Sequence, residues 1–129
     1  MKIYRFDRNV GHSVDRFESN FIMSRIANIK KETMIGCMHL EENGVIGYHK
    51  AVVSQLLLIV SGEGWVSGSD QLKVKVKVGD AVFWEKGEEH ETVTDTSLTA
   101  IVIESEEIHP EEYMPFKEVD VNEMARRYE

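Results

Sequence analysis

The chain has 129 residues, with 23 acidic against 15 basic side chains and a formal charge of −8. That length makes one domain with a real core, and 42% apolar with 29% charged residues is the balance of a folded chain, not a disordered one. The negative charge excludes nucleic acid and anionic membrane surfaces as partners, because both require a basic face.

The opening stretch, MKIYRFDRNVGHSVD, carries charge throughout and has no apolar centre for a signal peptide. "IYRF" within it is the first short strand. "FIMSRIANI" and "ETMIGCMHLE" follow as strands, the second closed by the turn signal "ENG". Cys37 lies in that second run; as the only cysteine it permits no intrachain disulfide and no cysteine-rich zinc module, and it reads as a small core residue.

"QLLLIVSG" has the continuous branched content of a buried strand, with "SGEG" expected to turn it back and "GWVSGSDQL" to form the return. Its apolar run, Leu56 to Val60, is far too short to span a bilayer, and the expectation is a cytoplasmic protein. "LKVKVKVGD" alternates cleanly: Leu72, Val74, Val76 and Val78 on one face, Lys73, Lys75 and Lys77 on the other, a solvated row that discourages edge pairing. "AVFW", "HETVT" and "SLTAIVIES" complete the strands. Beyond Glu104 the pattern breaks at "EEIHPEEYMPF", and "DVNEMARRY" predicts a short C-terminal helix capped by Asp120 or Asn122.

Two segments carry a resemblance. "GVIGYHKAVVSQLLLIVSG" presents Gly44, His49, Ala51, Gln55 and Gly62, and "GDAVFWEKGEEHETVT" presents Gly79, Glu85, Gly87, His90 and Thr94. Both are similar to the paired glycine-and-histidine motifs of small single-domain cupins, with motif 1 at about 44–62 and motif 2 at about 79–94. The resemblance implies an all-β double-stranded β-helix, or jelly-roll barrel, over 1–129, with an extension from about 105. In metal-binding members two histidines and a glutamate of the first motif and the histidine of the second hold a divalent ion. Here His49 and His90 remain, while Ala51 and Gln55 stand where the other two ligands are expected.

An extended run from His49 to Ile59 would put His49, Ala51, Val53, Gln55, Leu57 and Ile59 on one side. With Val82, Trp84, His90 and Thr92 facing them, this predicts an internal pocket with a few polar groups in an apolar wall. His49, Gln55, His90, His39 and Trp84 are its candidate residues. Two imidazoles and a neutral amide make a poor donor set, so no metal is assigned; a divalent transition metal would use His49, Gln55 and His90, with His39, Cys37 and Glu41 as substitutes if their face points inward. The crowd of Glu85, Glu88, Glu89 and Glu91 reads as a solvated rim, unless one turns inward and raises the pKa of His90.

Three functions stay open. The first is a binding or sensing module for a small polar molecule, sugar-like or carboxylate-bearing. The second is an enzyme, either metal-dependent or a metal-free isomerase or epimerase with His49 or His90 as general base. The third is a scaffold without catalysis. The resemblance implies a homodimer for any of them.

Overall fold

The computed structural model describes residues 1–119 and the backbone of 124–126. Strands dominate: β1 (Lys2–Arg5), β2 (His12–Val14), β3 (Phe21–Met23), β4 (Thr33–Leu40), β5 (Val45–Lys50), β6 (Ser54–Ser67), β7 (Leu72–Lys77), β8 (Asp80–Trp84), β9 (Glu89–Val93), β10 (Leu98–Ser105) and β11 (Met124–Arg126). Short 3-10 turns at 8–10, 16–18 and 110–112 are the helical content among the described residues. No helix among the described residues is long and apolar enough to cross a membrane.

All ladders are antiparallel, and β6 is their spine. Its first half lies between β8 and β10 in the order β1-β8-β6-β10-β4; its second half pairs with β7 and β9, which extend to β11 and β5. β2 and β3 form a separate small hairpin. The "SGEG" segment therefore does not turn the chain back. It carries β6 straight on through 14 residues, from one sheet into the other. Gly62 makes this corner: its φ is +77°, and a Cβ there would lie 2.1 Å from the Ser97 carbonyl oxygen. Only glycine fits a left-handed backbone pressed against a neighbouring chain.

Two cores result. The inner one fills the barrel with Leu57, Ile59, Val82, Trp84, Leu98, Ala100 and Val102 from the first sheet and Val66, Val74 and Val76 from the second. The outer one lies on the back of the first sheet, where Leu56, Leu58, Ala81 and Phe83 meet Tyr4, Ile108 and Met114. The continuous apolar run of β6 is explained by this arrangement, since odd and even residues both enter a core. Each fully buried leucine there contributes about 1.5–3 kcal/mol relative to exposure.

Some expectations change. Val74 and Val76 are buried as the alternation requires, but Val78 falls in the turn after β7 and is exposed. Of "FIMSRIANI" only Phe21–Met23 is strand; Ile26 and Ile29 pack on the outer core without a ladder. Cys37 is exposed, not core, because β4 turns Met38 and Leu40 inward and its alternate residues outward. Of the expected C-terminal helix, 124–126 form β11 on β7, the open ladder overriding helix propensity; the remainder lies outside the described residues.

Candidate functional site at the open end of the barrel

His49 and His90 are directly opposite each other in the β5–β9 ladder. The register slips between Ile46 and His49, so that Gly47 and Tyr48 together stand against one residue of β9. This bulge lets Ile46 and His49 both face inward although three positions separate them. The Nδ1 of His49 is 2.6 Å from the Gly47 carbonyl oxygen. A carbonyl only accepts, so Nδ1 carries the hydrogen, and in the uncharged tautomer it is Nε2 that bears the lone pair.

The two imidazoles are 4.3 Å apart between ring centres, at an interplanar angle of 53°. Trp84 lies behind His90 at 4.8 Å. His49 is exposed, His90 is 1% exposed, and Trp84 is fully buried with its indole N–H donated to the Ser67 carbonyl. Neither ring nitrogen of His90 has a hydrogen-bond partner among the described residues. Burial first, then the neighbouring His49, push the His90 pKa down from 6.5 to about 4; Glu88 opposes this only weakly. Glu88 is thus a glutamate that acts to raise it, and Glu91, expected on the solvated rim, is instead buried at 7% exposure. Glu88 is engaged elsewhere, holding the N-terminal ammonium at 2.6 Å and the Glu85 N–H at 3.1 Å.

Gln55 is buried on β6 opposite Trp84, and its side chain makes no hydrogen bond among the described residues. The extended run from His49 to Ile59 is interrupted at 51–53, where Ala51 donates its N–H to Glu88 O and accepts from Gly87 N. That break ties the first motif to the turn of the second and brings His49 and Gln55 to the same end of the barrel.

The other expected pocket residues are placed differently. His39 is exposed on the outer face of β4, like Cys37, so neither approaches the histidine pair. Trp84 is a wall behind His90, not a surface open to a ligand ring. Deeper in the barrel, Leu57, Ile59, Val66, Val82, Leu98 and Ala100 are all 0% exposed, which leaves no water-sized space beside them. The interior is packed, and the polar residues gather at one end.

A carboxylate missed in the sequence stands at that end. Leu98, Ala100 and Val102 enter the inner core, and the same alternation turns Glu104 inward. Glu104 lies opposite Gln55 on one side and Met34 on the other, giving a row Trp84–Gln55–Glu104–Met34 across four strands. A cleft of ≈ 630 Å³ opens beside Glu104 and Met34, with Ile35 and Val53 in its walls. Extending the apolar alternation of "LTAIVIE" by one step would have found it.

These donors do not make a resident metal centre. Among the described residues no group of three or more His, Cys, Asp or Glu side chains is placed to hold an ion. Two imidazoles and an amide supply no negative charge to offset a dication.

No protein-family model and no curated protein matches the chain. Solved structures do. A cupin superfamily protein from Desulfitobacterium hafniense is similar at a TM-score of 0.55 and 16% identity, over 63% of this chain and 72% of the other. An RmlC-like cupin from Shewanella frigidimarina matches at 0.55 and 22%, over 61% and 70%. A predicted oxalate decarboxylase from Thermotoga maritima matches at 0.52 and 25%, over 56% and 64%. The chain therefore folds as a small cupin barrel, as its two motifs led one to expect.

Proposed function

We propose that this cupin domain binds a small polar molecule at the open end of its barrel, through His49, Gln55 and His90, without a resident metal. The observation that carries the reading is His90: a buried imidazole with both nitrogens unpaired among the described residues. Such a group costs about 1–3 kcal/mol unless something satisfies it. A ligand that displaces the exposed His49 ring would do so. Catalysis by His90 as a general base is disfavoured, because a ring with a pKa of about 4 takes up a proton reluctantly near neutral pH.

The test is a small-molecule screen read at the Trp84 ring resonances, which report in both proteins, and repeated on His90→Leu. The variant is expected to fold with undiminished stability and to lose every response of the wild type. Responses that survive in the variant, or a variant that fails to fold, would overturn the reading.

We further propose that the chain pairs with a second copy of itself along β4. The first sheet has two edges. The β1 edge is covered by 115–117, with Arg5 N–H bonded to Pro115 O and Tyr4 bridged to Phe116. β4 pairs only with β10 among the described residues. It is eight residues long, has no formally charged side chain, and exposes Met34 by 72% and Ile35 by 66%. Natural edges are blunted by charge or proline. An uncharged edge in a chain of net charge −8 suits a second copy, since antiparallel pairing about a two-fold axis is self-complementary and brings no repulsion at the contact.

A further inference from the structure

Resting on the reading of the barrel end as a binding site, we infer that its ligand is a small amine and that Glu104 determines this choice. Glu104 is inward in register, only partly buried, and has neither an ion pair nor a side-chain hydrogen bond among the described residues. It is next to Gln55 in the row that ends at Met34. No lysine or arginine lies on that row; the cation nearest His49 in sequence, Lys50, is opposite Glu89 and alternates to the other face.

The rest of the site offers acceptors alongside donors. The bulge hydrogen bond leaves His49 with a lone pair on Nε2. Gln55 contributes an amide oxygen and two amide N–H donors, and neutral His90 one donor and one acceptor. An ammonium group supplies three donors and a charge, which match the Glu104 carboxylate and the amide oxygen of its neighbour Gln55. The alkyl part of such a ligand would lie on the exposed Met34 side chain. A carboxylate-bearing ligand, by contrast, would face Glu104 across the cleft with like charge.

Three four-carbon probes separate these chemistries: n-butylamine, 1-butanol and butyrate, each titrated at pH 7 while the His90 and Trp84 ring resonances are followed. The expected order is amine over alcohol over carboxylate, with about tenfold between the first two, as for one charge-assisted hydrogen bond. In Glu104→Gln the amine should fall to the affinity of the alcohol. Glu85→Gln removes the same charge from the exposed turn before His90 and should leave the order intact. Butyrate binding as well as the amine, or an order that survives Glu104→Gln or collapses in Glu85→Gln, overturns the assignment of the amine and of Glu104 while the site itself stands. No response from any of the three also overturns the amine, and the site is then judged by the wider screen alone.

Discussion

His90 shows how one side chain can join stability to function. The unfolded chain takes up a proton on this imidazole near pH 6.5, whereas the folded barrel keeps it neutral down to about 4. Between those values the unfolded state binds more protons, so stability rises with pH and is lost as pH falls from about 6.5 to 4. The loss attributable to His90 amounts to at most about 3 kcal/mol, the worth of a shift of this size. Urea unfolding at a series of pH values should show this acid limb in the wild type and a flatter one in His90→Leu. Equal slopes would mean that His90 does not titrate as its burial requires. Both histidines could be found from their spacing, but which of them is buried could not: that depends on the bulge at Gly47 and Tyr48, and "GYH" carries no unmistakable bulge signal.

At the scale of the strand, β4 and β7 are opposites. β7 carries Lys73, Lys75 and Lys77 outward and is covered by β11, while β4 has no formal charge and, among the described residues, no cover on its outer edge. Ile35→Lys puts a charge on the outer face of β4, and in a two-fold pair it does so twice. The wild type is expected to sediment as a dimer at micromolar concentration, and the variant to dissociate with a constant at least about tenfold weaker, as like charges across a ladder repel. A wild type that stays monomeric at all concentrations, or a variant with unchanged association, would remove the pairing. Strand existence was readable from period and composition, as "LKVKVKVGD" and "SLTAIVIES" show. The face of β4 was not, because "TMIGCMHL" is apolar at both phases and only packing against Leu98 and Ala100 selects Met38 and Leu40 for the interior. That ambiguity is what misplaced His39 and Cys37.

For the molecule as a whole, the second core is the part the sequence concealed. Nothing in "EEIHPEEYMPF" announces that Ile108 and Met114 close the back of the first sheet, since only the partner surface makes their burial favourable. Lys117 fastens this layer. Its ammonium lies 2.8 Å from Asp80, which is 3% exposed and also accepts the Lys77 N–H at 2.9 Å. Lys117→Met should cost about 2–3 kcal/mol by leaving a buried carboxylate without its cation. Combining it with Asp80→Asn should recover part of that loss, whereas strictly additive losses would show that the pair is not coupled.

The continuity of β6 through Gly62 also sets a clock. Neither sheet can be completed without this one strand. The chain must be gathered as far as Ser105 before the first wall of the barrel closes, and from Val45 to Val93 before β5, β9, β6 and β7 join in the second. Folding dominated by such distant pairings belongs to the slow range, ~milliseconds to seconds. The return journey is equally indivisible: the amides of Leu56 to Leu58, held between β8 and β10, should exchange their hydrogens only when the whole barrel opens.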